Sequence, residues 1–202
     1  FPGPKPGQPS FPCGIAIARD GKTALVCLSR NNAIAVVDLA AHEVTKTLST
    51  DVAPYEVRFG EDQQAAYVSN WGGRTPAAGE ASAPSSGTPV VVDERGVAAS
   101  GTVGKYALAD GRALWTAEVG LHPSALALSG GILYVANVNS DTVSAINADS
   151  GKVLGTYSVH ADAGMVFGNL PNALAVDAAG QRLYVVCGGM NAVAVLDINA
   201  AD

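Results

Sequence analysis

Along most of this chain, apolar side chains alternate with polar or small ones over short runs, and the runs recur behind a proline. Behind Pro12, Pro54, Pro123 and Pro171 stand GIAIA, YEVRF, SALAL and NALAV. After a turn comes a second set of runs, ALVCLS, AYVSN, LYVAN and LYVVC. Leu25, Tyr67 and Tyr184 each lie thirteen positions after their proline, and Tyr134 lies eleven after because its SGG turn is shorter. Seven positions after Leu25, Tyr134 and Tyr184 stand Asn32, Asp141 and Asn191. Each opens a third run: NAIAVVD, DTVSAIN and NAVAVLD. In the first and third units EVTKTLST and KVLGTYSV add a fourth.

The apolar period is two rather than 3.6, and DG, GG or AAG turns separate the runs, so they predict strands and not helices. Four strands per repeat of roughly 40–50 residues predict an all-β chain, a β-propeller of four-stranded antiparallel blades. A lone sheet hides one face. Sheets stacked around an axis bury both and leave only short edges. The expected blades are 12–53, 54–122, 123–170 and 171–202, behind an extended Pro-rich tether over 1–11. In the second unit the third run is delayed to GTVGKYAL, where Thr102 and Val103 match Thr142 and Val143. An insertion over 74–99, dense in Ala, Pro, Ser and Gly, separates the two, and its VVVD core is expected to pair as a short extra strand. The last unit ends at INAAD with no fourth run, which predicts four blades of a larger ring with open end faces. Those faces predict a homodimer of the chain, or coverage by further blades in a longer parent protein.

Composition narrows the function. With 48% hydrophobic and 15% charged residues, 202 residues are enough to build a sizeable core. The net charge of -6 argues against nucleic acid, for want of a cationic surplus to neutralise phosphates. No apolar stretch is long enough for a membrane-spanning helix. The start at Phe1 predicts that a leader has been removed. Cys13, Cys27 and Cys187 show no metal-ligand spacing. Two readings stand for them: small buried hydrophobes, or a Cys13–Cys27 bridge between neighbouring strands.

The strands LYVAN and AYVSN, followed by DTVSAIN and NAVAVLD, resemble the YVTN β-propeller repeat, and the resemblance covers nearly the whole chain from Phe11. YVSNWGGR at 67–74, SSGTPVVVD at 85–93 and SGTV at 100–103 are similar to the N-terminal propeller of bacterial proteins with a C-terminal alkaline-phosphatase-like phosphoesterase domain. That resemblance implies an exported, periplasmic or extracellular multidomain protein. The C-terminal domain would be a partner within the chain, and its metal ligands and nucleophile are not among these residues.

In such a repeat, the loops entering strand one and those joining strands two and three meet at one mouth of the channel. Tyr55, Arg58, Trp71, Arg74, His122 and Asn172 are the candidate ligand-binding residues there, with Glu56, Ser124, Asn137, His160 and Asn169 nearby. Aromatic, Arg, His and Asn side chains together suit a small anionic or sugar-like ligand. Asn70 and Asn137 are expected to bond turn backbone, and Asp38, Asn147 and Asp197 to cap turns at matching positions. His42, His122 and His160 are spread over three units, so no metal site, cofactor or catalytic residue is assigned. The leading function is a non-catalytic scaffold or binding module. The alternative is a lactonase- or quinoprotein-like enzyme with its site at the channel mouth.

Overall fold

The computed structural model describes residues 1–160, 164 and 168–198. The first sheet is β1 (Pro12–Ile17), β2 (Thr23–Leu28), β3 (Ala33–Asp38) and β4 (Glu43–Ser49), in that order. The second unit runs through β5 (Val52–Phe59) and β6 (Ala65–Gly73) and then leaves its sheet for a hairpin, β7 (Ser82–Ser85) and β8 (Thr88–Val91). It returns as β9 (Thr102–Ala107) and β10 (Ala113–Glu118), giving the order β10-β9-β6-β5. The third sheet holds β11 (Pro123–Ser129), β12 (Ile132–Asn137), β13 (Thr142–Asn147) and β14 (Val153–Ser158). The fourth holds β15 (Pro171–Val176), β16 (Arg182–Cys187) and β17 (Ala192–Asp197). All pairings between these strands are antiparallel. Among the described residues there is no α-helix, only two single-turn 3-10 segments. The expected absence of a fourth strand in the last unit falls on residues 199–202, outside the described ones.

The repeat has a backbone cause. Asn32, Asp141 and Asn191 take φ of 51°, 50° and 51°, the left-handed turn from which each third strand starts. Asn and Asp tolerate that conformation better than other side chains, which explains their recurrence at this spacing. A second set is stranger. Phe11, Ala53, His122 and Leu170, each directly before an anchor proline, have φ of 49° to 55°. Phe, Ala and Leu are not residue types at ease there, and a following proline disfavours helical backbone of the residue before it. Four such strained positions persist because the bulged first-strand pairing and the packing around it hold them.

Each sheet has two apolar faces, and the register assigns them. Facing the next sheet are Leu25, Tyr67 and Tyr134 at one repeat position; facing the previous sheet are Val57, Leu126 and Leu174. Leu25, Ile34 and Val36 pack on Val57, Ala66 and Val68 between the first two sheets. Tyr67 and Val103 meet Leu126, Leu133 and Ile146 between the second and third. Tyr134, Val143 and Ala145 meet Leu183, Val185 and Cys187 between the third and fourth. Burial on both sides explains why the second strands are apolar throughout rather than alternating. The hydroxyl of Tyr67 crosses its junction to donate to the Ala148 carbonyl at 3.0 Å.

Several local expectations change. The tether is not extended: Pro2 bridges Pro9, Gly7 turns the chain at φ 77°, and buried Ser10 donates to the Phe1 carbonyl. Four fixed proline φ angles around one permissive glycine favour this reversal. The sequence pattern shows no fourth run for the second unit, because ALWTAE hardly alternates, yet β10 closes it. Asn70 and Asn137 bond across to the third strand rather than to turn backbone, through Thr102, and through Thr142 and Ser144. Asp38 and Asn147 do cap their turns, each accepting two backbone N–H groups. No cysteine is bridged, and Cys13 is exposed while Cys27 and Cys187 are buried.

Candidate functional site

The strained pre-proline residues lie at the end of the sheets where each first strand begins. Three of them, Phe11, Ala53 and His122, line one cavity of about 350 Å³. β5 contributes Tyr55 and β6 contributes Trp71, just past Asn70, where the chain departs into the insertion. Tyr55 stacks on Trp71 with ring centroids 4.9 Å apart, and the His122 ring centroid lies 4.8 Å from that of Trp71 at a tilt of 36°. Tyr55 and Trp71 are each 37% exposed, an unusual state for large aromatics held in a ladder. Gly72 has no room for a side chain, since a Cβ there would lie 2.5 Å from Val52. This close approach fixes the line of β6 beneath the indole.

The insertion builds the opposite wall. Ser85, Ser86, Thr88 and Val90 of the β7–β8 hairpin face the cavity, together with Ala98. The hairpin reaches back to the first sheet, where Arg30 donates from Nε to the Ser86 carbonyl at 2.9 Å. Asn32 donates to Thr88 Oγ1 at 3.4 Å. Arg30 also lies over the Phe11 ring at 5.5 Å, which places a cation at the cavity rim. The base of the insertion is clamped by a bidentate pair of Arg74 with Glu80, at 2.7 and 2.6 Å, and by Arg74 with Glu118 at 3.3 Å. The Arg74 guanidinium, joined by the Ala77 backbone N–H, holds the Glu80 carboxyl down at about 2.

Cys13 lines the cavity too, alongside Tyr55, His122 and Arg30. Its thiol points to the Pro54 carbonyl at 3.3 Å. Hydrogen bonding from Cys27 holds its pKa below the ordinary thiol value, against partial burial. Burial raises the Cys27 thiol well above that value.

Of the six candidate residues, the structure brings three together: Tyr55, Trp71 and His122. Arg58 lines a different hollow, with Ile15, Ile17, Arg19 and Glu56. Arg74 is taken up by its two glutamates, and Asn172 is exposed near Gly188, away from the aromatic ladder. Among the neighbouring residues, Ser124 is buried in the sheet and His160 is turned to Asp141 at 3.1 Å. Sequence reasoning misses Phe11, Arg30, Asn32 and the hairpin. One signal points to the first: the position before each anchor proline recurs at the same place, so Phe11 and His122 are equivalent.

Neither a protein-family model nor a curated protein matches this sequence. Solved structures do match its fold. The hydrazine synthase of Kuenenia stuttgartiensis is 17% identical, with a TM-score of 0.69 over 97% of this chain and 50% of that one. The WD40 β-propeller domain of Doa1 is 11% identical, with a TM-score of 0.67 over 94% of this chain and 51% of that one. The fold is a β-propeller. The computationally designed Ika4 protein is also similar, at 14% identity and a TM-score of 0.63, over 96% of this chain and 95% of that one. The chain therefore spans about half the length of the hydrazine synthase and Doa1 chains, and at these identities the likeness concerns fold alone. In propeller terms the four sheets are blades, and the aromatic cavity sits at the blade end that carries the first-strand entries, roofed by the insertion of the second blade.

Proposed function

We propose that this propeller is a binding module whose site is the aromatic cavity under the β7–β8 hairpin. The observation that carries the reading is the Tyr55–Trp71–His122 ladder left open in a cavity of about 350 Å³. That volume suits a small molecule rather than a peptide. Its apolar lining and ring faces favour a flat aromatic or sugar ring. The Arg30 side chain and the hydroxyls of Ser85, Ser86 and Thr88 at the rim favour an anionic or hydroxylated substituent on it. The lining holds one imidazole, one thiol, one phenol and one guanidinium and no carboxylate, which supports recognition in preference to the enzymatic alternative. The sequence resemblance further supports placing the module in an exported protein that carries a phosphoesterase-type domain; the cavity would then present or select a small ligand for that domain.

The test is ligand-observed saturation-transfer NMR with a panel of monosaccharides, sugar phosphates and aryl carboxylates. Binding is expected from ring compounds bearing a negative group, and Trp71→Ala is expected to weaken the best of them at least tenfold. A base–aromatic stack is worth about 1–3 kcal/mol, and each 1.4 kcal/mol is tenfold. Equal affinity for the variant and the unmodified chain would overturn the reading.

A further inference from the structure

The wall of the aromatic cavity carries a pair of thiols that recognition of a ring leaves unused. Between Pro12 opposite Leu28 and Ile15 opposite Val26, the β1–β2 register slips by one residue, so Cys13 and Gly14 together oppose Cys27. Both cysteines turn to the second blade. The Cys13 Sγ lies 3.3 Å from the Pro54 carbonyl, and Cys27 packs in one cluster with Ile34, Val57 and Val68. The Cys13 Sγ is also 3.9 Å from the Cys27 carbonyl, and the two thiols hydrogen-bond to each other. Access divides them: Cys13 is exposed and lines the cavity, whereas Cys27 is buried. Cys187 belongs to a separate cluster between blades three and four.

We propose that Cys13 and Cys27 are a peroxide-responsive dithiol, Cys13 attacking and Cys27 resolving, whose closure into a disulfide reshapes the wall of the aromatic cavity. The Cys13 thiolate attacks one oxygen of a hydroperoxide and breaks the O–O bond. Cys13 becomes a sulfenic acid, and its proton leaves with the other oxygen as an alcohol, or as water from hydrogen peroxide. The Cys27 sulfur then displaces the sulfenic oxygen, forming the S–S bond, and its own proton leaves with that oxygen as water. The dithiol is oxidised by two electrons and the peroxide is reduced by two. Acidity and access set the roles. Hydrogen bonding from Cys27 favours the thiolate at Cys13, burial disfavours it at Cys27, and the thiolate is the attacking species. A disulfide holds its Cβ atoms about 3.8 Å apart, closer than the about 4.5–5.5 Å of directly opposed strand residues. Closure therefore draws Cys13 toward Cys27 and off the Pro54 carbonyl, which also loses its S–H donor. Pro54 stands between Ala53, held at φ 55°, and Tyr55, which stacks on Trp71. Oxidation thus registers at the indole. No cavity ligand takes part in this chemistry.

Treating the intact chain with hydrogen peroxide and mapping its peptides by mass spectrometry tests the pair. A Cys13–Cys27 link is expected, formed within one chain and reopened by dithiothreitol. The Trp71 indole N–H signal is expected to move as the link forms and to return on reduction, while that of Trp115 stays still. Cys13→Ser changes an exposed position, so it is expected to keep the far-UV spectrum of the fold. Under the same peroxide it is expected to show neither the link nor the Trp71 shift. An unreactive Cys13 in the unmodified chain would overturn the proposal, as would its conversion to sulfur acids without a link. A link to Cys187 or to a second chain would do the same. So would a Cys13–Cys27 link that leaves the Trp71 signal unmoved, or a Trp71 shift that persists in Cys13→Ser.

Discussion

Asp141→Ala is expected to destabilise the chain by about 3–4 kcal/mol at neutral pH, read as a shift in the urea midpoint. Only 2% of Asp141 is exposed, and it holds the segment entering blade four. Its carboxylate accepts the backbone N–H groups of Gly168, Asn169 and Leu170 at 2.6 to 3.1 Å, with the His160 ring at 3.1 Å. Alanine leaves those donors without an acceptor in a buried site, at about 1–3 kcal/mol each when unsatisfied, and adds strain at φ 50°. The effect also has a pH signature. Burial acts to raise the Asp141 pKa, but the N–H groups and the imidazole outweigh it and hold it below the ordinary value of about 4. A carboxyl depressed in the folded state stabilises above its unfolded pKa and loses that contribution as pH falls through the folded one. The stability gap between parent and Asp141→Ala is therefore expected to be full at pH 7 and to shrink as pH falls below about 4. A gap that stayed constant down to acid pH would show that the carboxylate charge is not what holds the segment.

Tyr67→Ala is the second large effect, an expected loss of about 3–5 kcal/mol in the same assay. The ring is buried at the junction of blades two and three, against Leu126, Leu133 and Ile146, so truncation removes apolar contact and leaves a cavity. Tyr67→Phe keeps the ring and removes only the hydroxyl bond to Ala148, for an expected loss of about 1 kcal/mol. Equal losses for the two variants would mean that the hydroxyl, not the packed ring, secures the junction.

The blades are legible in the sequence because each repeat position has one physical job. A left-handed turn selects Asn32, Asp141 and Asn191, and burial on both faces makes ALVCLS and LYVAN continuously apolar. β10 escapes notice because its apolar residues, Ala113, Leu114, Trp115 and Ala117, do not alternate. The cavity is half legible. Tyr55, Trp71 and His122 stand out as aromatics beside strand entries. Arg30 and the hairpin residues enter it through tertiary contacts between segments 56 positions apart, for which a repeat pattern has no signal. Arg74 misleads for a related reason: its partners Glu80 and Glu118 belong to the insertion and to β10, neither of which the repeat describes.

The claim that the aromatic cavity binds a small molecule is tested most directly by the two indole N–H signals of the labelled chain during titration with the strongest panel compound. Trp115 serves as the internal reference, since its Nε1 donates to the Ala148 carbonyl at 3.2 Å at the junction of blades two and three. The Trp71 signal is expected to move in a saturable way while the Trp115 signal stays still. Binding that shifts Trp115, or that leaves Trp71 unmoved, would contradict it.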